Sequence, residues 1–266
     1  MTTPPPGTTS SASFTFDLDA EEVWLAEDPT ASRRPVLLSQ GAYGPRVGLP
    51  AVLGLLRAHG VRATFFVPGR VAETYPAAVE SVLEAGHEVA HHGHTHRAPA
   101  ELSLDEEVDE FERGLAALRH VGVVPTGYRA PSWDFSPHTL GLVADHGFDY
   151  SSNFMDEVRP YVHPSRDVVE LPVHWTLDDA AHYWFAADTW TKKISTNGEV
   201  EQIMVAEADG IAAMHGCAVY TLHPQIIGRP GRLPLLDELL RRAASDPSVW
   251  VATAAEIAAH TRKQES

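Results

Sequence analysis

Cysteine is almost absent from this sequence of 266 residues, in which Cys217 is the only one. A lone cysteine cannot form a disulfide within its own chain, which agrees with a reducing compartment. The first residues, MTTPPPGTTSSAS, contain neither a positively charged stretch nor an apolar one, so we expect no secretory signal there. Both observations predict a cytoplasmic protein.

Basic residues and long apolar runs are also scarce. Lysine and arginine number 20 against 36 acidic residues, which gives a formal net charge of −16. Nucleic acids and anionic membrane surfaces need clustered cations, so neither is an expected partner. No stretch approaches the ~18 apolar residues typical of a transmembrane helix. Hydrophobic residues at 44% and charged residues at 21% are ordinary values for a globular protein, so global disorder is excluded.

The order of elements predicts a single α/β domain. The proline-rich residues 1–12 are expected to be a disordered tail, and residues 13–266 contain no linker or fixed repeat that would divide them. The hydrophobic patterns predict strands at residues 13–19, 62–67, 88–91, 127–129, 148–152, 168–173, 218–223 and 249–251. They predict helices at residues 49–59, 75–85, 103–121, 137–146, 199–215, 233–244 and 254–261. This alternation favours a parallel sheet, open or closed into a barrel.

Ligand sites of such folds lie at the carboxyl ends of the strands, where this sequence places acids and histidines. Asp17 and Asp19 end the first predicted strand, and residues two apart on a strand share one face. His92 and His96 are four residues apart, a spacing that puts both imidazoles on one side of a helical turn. Taken singly, the acids could be turn residues, and the histidines could belong to an exposed loop.

Two further segments end strands with residues suited to a site. Arg129 is followed by Pro131 and Trp133, so this segment could bind a carboxylate and wall a pocket, or could pack an aromatic ring on the core. His223 follows Leu222, and a single histidine there could equally be structural. Combined, one carboxylate and two neutral imidazoles suit a divalent transition metal, with an acid and a histidine left over for proton transfer.

These residues, in this order, resemble the motifs of the polysaccharide deacetylase superfamily, which is defined by the NodB homology domain. The resemblance runs from about Phe14 to Glu256. It rests on Thr15-Phe16-Asp17-Leu18-Asp19-Ala20, His92-Gly93-His94-Thr95-His96, Gly127-Tyr128-Arg129-Ala130-Pro131-Ser132-Trp133 and Leu222-His223-Pro224. The first motif departs from the family's usual adjacent Asp-Asp pair. In this it resembles a branch that contains intracellular-type peptidoglycan deacetylases, allantoinase-like proteins and cyclic imide hydrolases.

The resemblance implies a deformed (β/α) barrel of seven or eight strands with a metal centre. Asp19, His92 and His96 would bind one divalent ion, with zinc as the first choice and cobalt, nickel, iron or manganese as alternatives. His91 and His94 have no evident place among these ligands, and we expect them to support the ligands or to face solvent.

The resemblance also implies roles in proton transfer. Asp17 would be the general base, oriented by Arg129, and His223 would be the general acid. Residues 172–179 occupy the place of a fourth motif, where either Asp178 or Asp179, or neither, tunes His223. Independently of the resemblance, the candidate pocket walls are Trp133, Trp175, Leu222 and Pro131, and both tryptophans and Leu222 could equally belong to the core.

Two substrate classes follow from the resemblance. The first is an N-acetylated saccharide of the peptidoglycan type, and the alternative is a small cyclic amide or imide such as allantoin. The segment 20–47 shows weak periodicity, and we expect it to cover the site by placing Trp24 and Leu25 over the metal. A catalytically silent binding module is a third reading, which the presence of both Asp17 and His223 disfavours. The substrate is the one expected partner, and the chain could act alone or as a homo-oligomer.

Overall fold

One curled sheet organises the computed structural model of the protein, which describes residues 3–185 and 194–265. Its strands, β1 to β9, are Ser10–Asp17, Thr64–Val67, Glu88–His91, Gly127–Tyr128, Tyr150–Ser151, Tyr161–Val162, Val169–Glu170, Cys217–Leu222 and Val249–Val251. Their order across the sheet is β6-β7-β5-β4-β3-β2-β1-β8, and β9 also pairs with β1. The pairings within the described ranges are parallel apart from β6 with β7.

Helices pack around this sheet and protect it from water. The α-helices, α1 to α11, are Glu22–Glu27, Pro35–Tyr43, Leu49–His59, Gly69–Thr74, Pro76–Glu84, Leu104–His120, Thr139–Asp145, Asp179–Tyr183, Asn197–Ala213, Leu233–Ser245 and Ala254–Gln264. The helix α6 begins at a capping box. The Ser103 side chain accepts from the Glu106 N–H, and the Glu106 carboxylate accepts from the Ser103 N–H. In the described part of the chain no helix is both long enough and apolar enough to cross a bilayer.

The longest strand is β1, which pairs with β2, β8 and β9, and its side chains from Ala12 to Asp17 are buried on both faces. Phe14 stacks on Tyr220 of β8 at 4.6 Å between ring centroids, and Phe16 stacks on Phe65 of β2 at 4.9 Å. Such burial of large aromatic rings stabilises a parallel sheet that has helices on its outer side. The carboxyl ends of β1, β3, β4 and β8 therefore meet at one edge.

The structure confirms the predicted barrel-like α/β fold and changes some of the predicted boundaries. Each predicted strand has a counterpart, whereas the two-residue β6 gave no pattern in the sequence. β1 begins at Ser10, inside the predicted tail, because Ser10 pairs with Val249 and Ser11 pairs with Cys217. It ends at Asp17, so Asp19 lies in the loop beyond the strand.

The segment 20–47 is largely helical, although its weak periodicity predicted no helix there. It contains α1, a 3₁₀ turn at Pro29–Arg33, α2 and the first part of a π-helical turn at Gly44–Gly48 that leads into α3. Glycines let this segment approach the rest of the chain closely. A Cβ on Gly41 would overlap the Ala20 carbonyl, and one on Gly48 would overlap the Pro224 carbonyl. The segment is thus fixed against the loops that follow β1 and β8.

Candidate active site

The three predicted metal ligands lie together beyond β1 and β3. Asp19 Oδ1 is 3.4 Å from His92 Nε2 and 3.6 Å from His96 Nε2. All three residues are buried, and one ligand atom of each lies within 4.8 Å of the others. The structure therefore brings the three candidate ligands together.

The two histidines meet through a bent loop, however, and not across the helical turn that their spacing suggested. Gly93 and His96 both adopt left-handed backbone conformations, with φ of +70° and +60°. The Glu110 carboxylate fixes the bend by accepting hydrogen bonds from the Thr95 N–H and hydroxyl, each at 2.7 Å. His91 also supports the loop, since its Nδ1 accepts from the Gly93 N–H at 3.1 Å.

His91 and His94 are both buried, so neither faces solvent. His91 Nε2 lies 2.9 Å from the Phe111 carbonyl, to which it donates, and burial lowers the pKa of His91 to about 3. His94 Nε2 lies 3.0 Å from Arg113 Nη2 and accepts from it. Both histidines therefore support the loop of residues 92–96, called the ligand loop because it carries His92 and His96.

The donor set fits a divalent cation. His92 Nδ1 lies 2.8 Å from the Arg129 carbonyl, and donation to that oxygen leaves Nε2 with a free lone pair that faces Asp19. Asp19 Oδ1 is buried and has no hydrogen-bond partner among the described residues. An unpaired buried carboxylate oxygen is costly, and a cation coordinated there would satisfy it. One carboxylate with two imidazoles is a set that zinc accepts while keeping a position open for water.

The electrostatics of the cluster also suit a cation. Burial alone would raise the pKa of Asp19, but the imidazoles of His96, His92 and His223 hold it well below its usual range. Burial lowers the pKa of His96 to about 4, so that this imidazole is neutral near pH 7 and free to coordinate. Burial opposes the proton on His92, yet the Asp17 and Asp19 carboxylates raise its pKa overall. The negative field that attracts a proton to His92 would equally attract a metal ion.

Asp17, the predicted base, is held by Arg129 as expected. Arg129 Nη1 donates to Asp17 Oδ1 at 2.7 Å and to Thr15 Oγ1 at 2.8 Å, while its Nη2 donates to Ser152 Oγ at 2.9 Å. The guanidinium is fully buried over the Phe66 ring, 4.1 Å from the ring centroid. Asp17 Oδ2 points toward Asp19, His92 and His96, which together form the ligand cluster, and lies 3.8 Å from His92 Nε2.

His223, the predicted acid, is paired with Asp179, which answers the question left open by the fourth motif. Asp179 Oδ1 lies 2.6 Å from His223 Nδ1, and Asp179 Oδ2 accepts from the His223 N–H at 3.1 Å. Burial would lower the pKa of His223, but Asp179 and then Asp178 raise it well above its usual value. His223 Nε2 is thereby turned to the ligand cluster, 3.7 Å from Asp19 Oδ2.

Asp178 has a different role from Asp179. Its Oδ1 accepts from the Ala180 N–H at 2.7 Å and so caps α8, and it lies 3.8 Å from His223 Nδ1. Backbone bridging of Asp178 to Thr221 of β8 holds the whole segment beside the acid. Burial raises the pKa of Asp178 to about 7.

A cavity of about 350 Å³ connects these groups. Of the predicted pocket walls, Trp133 and Trp175 line it, with ring centroids 4.5 Å apart. Ser132, Ala180, Ala181 and Trp184 also line it, and α1 contributes Val23 and Glu27. The sequence offered no periodic signal for these six residues.

Four other predicted positions do not line the cavity. Leu222 is fully buried in the core with Phe14 and Tyr220, and Pro131 is buried against Gly93. Trp24 stacks on Trp184 at 4.9 Å, and Leu25 lines a separate cavity with Arg70. The cover over the site is therefore built from the other face of α1.

The fold is that of a barrel-type α/β protein, and comparisons with known proteins identify its family. The profile of the polysaccharide deacetylase family matches residues 41–151. A solved structure from Mycobacterium smegmatis, assigned to the polysaccharide deacetylases, is 41% identical, covers 99% of this chain and 94% of its own, and superposes with a TM-score of 0.95. The chain belongs to the polysaccharide deacetylase family, as its motifs predicted.

Two more distant relatives show how far the resemblance extends. A peptidoglycan deacetylase from Helicobacter pylori is 28% identical, and the match covers 92% of this chain and 94% of that protein. An allantoinase structure, Puue, is 21% identical and covers 96% of this chain and 91% of its own, with a TM-score of 0.82. At that identity the likeness to the allantoinase is one of fold alone.

Proposed function

We propose that the protein is a metal-dependent hydrolase that removes the acetyl group from an N-acetylated saccharide. The observation that carries this proposal is the convergence of three kinds of group on one cavity. Asp19, His92 and His96 form a ligand set, Asp17 Oδ2 lies 3.8 Å from His92 Nε2, and His223 Nε2 lies 3.7 Å from Asp19 Oδ2. A silent binding module would need neither of the two proton-transfer groups.

The roles of the side chains follow from their contacts. A divalent ion held by Asp19, His92 and His96 would lower the pKa of water and polarise the amide carbonyl. Arg129 occupies Oδ1 of Asp17 and leaves Oδ2 to take a proton as water attacks the carbonyl carbon. His223, kept protonated by Asp179, donates from Nε2 to the departing nitrogen. This step is required because an amide nitrogen is a poor leaving group.

The size of the cavity supports the proposal that a single sugar unit binds in it. Its volume of about 350 Å³ lies near the lower end of the roughly 300–1,000 Å³ of small-molecule sites, which suits one sugar ring better than a long stretch of polymer. Trp175 is 48% exposed at the rim and offers a flat apolar face against which a further sugar ring could stack. The related Helicobacter pylori protein is a peptidoglycan deacetylase, which supports the same substrate class.

A small cyclic amide or imide is the second candidate substrate, because a cavity of about 350 Å³ can hold it as well. Val23 and Glu27 of α1 lie on one side, and Ala181 and Trp184 lie on another. Walls of this kind admit a five-membered ring as readily as a monosaccharide. The cytoplasmic location expected from the sequence, which would suit a small substrate, stays a prediction, as does a homo-oligomer.

A substrate panel distinguishes these functions. The zinc-reconstituted protein is incubated with N-acetylglucosamine, its oligomers, allantoin, hydantoin and succinimide, and acetate and ring-opened products are quantified. We expect acetate with an equal amount of free amine, and none of either after treatment with a chelator. Ring opening without acetate would establish the cyclic amide function instead. Saturable binding of every ligand without product would identify a binding module.

The pairing of His223 with Asp179 predicts a change in pH dependence. Because Asp179 raises the pKa of His223, the acid stays protonated at higher pH, and kcat is maintained until the pH passes that pKa. Asp179→Asn removes the charge, so the pKa of His223 falls and the alkaline limb of the kcat profile moves to lower pH. The control is Asp209→Asn, which alters an exposed partner of Arg242. An alkaline limb at the wild-type position in Asp179→Asn would contradict the assignment of the acid.

A further inference from the structure

Gln225, two residues after His223, extends a buried side chain to the back of the ligand cluster. Its Nε2 donates to Asp19 Oδ2 at 3.3 Å. The amide orientation is fixed by this partner, because a carboxylate can only accept, and the amide nitrogen must therefore face it. Within the described residues this is the one hydrogen bond of the Gln225 side chain.

The two oxygens of Asp19 thus have different surroundings. Oδ1 faces His92 and His96 and has no hydrogen-bond partner in the part of the chain that the structure describes. Oδ2 accepts from Gln225 and lies 3.7 Å from His223 Nε2. A carboxylate rotates easily about its last bond, so without a donor at Oδ2 it could turn away from the orientation that places Oδ1 beside His92 and His96. The Gln225 amide opposes that rotation.

The oxygen of the Gln225 amide indicates that this side chain does not serve to stabilise the fold. Oε1 is buried and has no hydrogen-bond partner among the described residues. Such an unpaired oxygen destabilises the folded state, and an apolar side chain of equal length would avoid the cost. Room for the amide is made by Gly44 in the π-helical turn, where a Cβ would lie 3.1 Å from Oε1 and 3.3 Å from the Gln225 backbone nitrogen.

We propose that Gln225 is a positioning residue for the metal centre: it holds Asp19 Oδ2 so that Oδ1 is presented beside His92 and His96. This inference rests on the proposed metal-dependent function. It assigns a role to the close packing of the π-helical turn, Gly44–Gly48, against the loop after β8, since that packing sets the position of Gln225. Hydrogen-bond partners of metal ligands commonly contribute about 10–100-fold to metal affinity.

The test compares zinc affinity with the stability of the metal-free protein. Gln225→Met keeps the length of the side chain while it removes both the donor to Asp19 and the unpaired oxygen. We expect the zinc dissociation constant, measured by competition with a chromophoric chelator, to rise roughly 10–100-fold. The change removes the unpaired Oε1 but also leaves Asp19 Oδ2 without its donor. Because these two effects oppose each other, the melting temperature of the metal-free variant should stay close to that of the metal-free wild type. Gln202→Met, which alters an exposed glutamine on α9, is the matched control and should change neither quantity.

The outcomes separate this inference from the function on which it rests. An unchanged zinc dissociation constant in Gln225→Met, or a lowered melting temperature without weaker binding, would overturn the positioning role and leave the proposed function intact. Failure of the wild-type protein itself to bind zinc would overturn both. Weaker zinc binding in a metal-free protein of undiminished stability would establish the role of Gln225.

Discussion

Replacing His96 by alanine is expected to remove most of the bound metal and nearly all of the turnover. The His96 imidazole is buried, and its Nε2 lies 3.6 Å from Asp19 Oδ1, so its loss leaves two protein ligands, which rarely hold a catalytic ion. The fall in metal affinity should exceed the roughly 10–100-fold that follows loss of a ligand's hydrogen-bond partner. Metal content after dialysis and kcat for acetate release are the two measurements.

His138→Ala, which removes an exposed imidazole before α7, is the control for this experiment and should keep a full equivalent of metal. Retention of a full equivalent by His96→Ala would show that the ion is bound elsewhere. Loss of metal together with a loss of folded protein by circular dichroism would instead point to a structural part for the ligand loop.

The second large effect is expected for Asp17→Asn, which should retain its metal and lose about 10²–10⁴ in kcat, the usual range for a general base. Asparagine has the same shape, and its carbonyl oxygen can still accept from Arg129. The oxygen that would take the proton is replaced by an amide nitrogen, which cannot. Metal analysis and kcat measured on the same sample separate this role from that of a ligand.

Asp134→Asn is the control, since Asp134 is exposed and does not line the cavity. Near-wild-type turnover by Asp17→Asn would transfer the role of base to another carboxylate. Asp178 would then be the candidate, because it lines the cavity and burial raises its pKa to about 7.

The groups at the site were predictable from the sequence where chemistry and strand position coincide. Asp19 ends one predicted strand, and His92 and His96 come just after another. Residues at the carboxyl ends of neighbouring parallel strands are brought together by the fold itself. Leu222 was a wrong choice that the same pattern could have prevented. It precedes His223 directly, and successive residues of a strand point to opposite faces, so a leucine next to a site histidine faces the core.

The sequence indicated that the segment 20–47 lies at the site, but it did not indicate the helices of this segment or the residues that line the cavity, because they do not use a hydrophobic stripe. α1 has no buried residue, and α2 approaches its neighbours through Gly41 and Ala42. Helices that pack through backbone contacts leave no 3.6-residue pattern in the sequence. The partner of His223 was hidden for a different reason. Asp178 and Asp179 are chemically equivalent in the sequence, and the bridge between Asp178 and Thr221 decides which of them faces the imidazole.

Asp19, His92 and His96 are proposed to hold one catalytic metal ion for the hydrolysis of an N-acetyl group. Titration of the metal-free protein with zinc, with acetate release from N-acetylglucosamine oligomers measured at each step, tests this claim. The rate should rise in proportion to bound zinc and stop rising at one equivalent per chain. Full-rate acetate release from the metal-free protein, or none with one equivalent of zinc tightly bound, would contradict the claim.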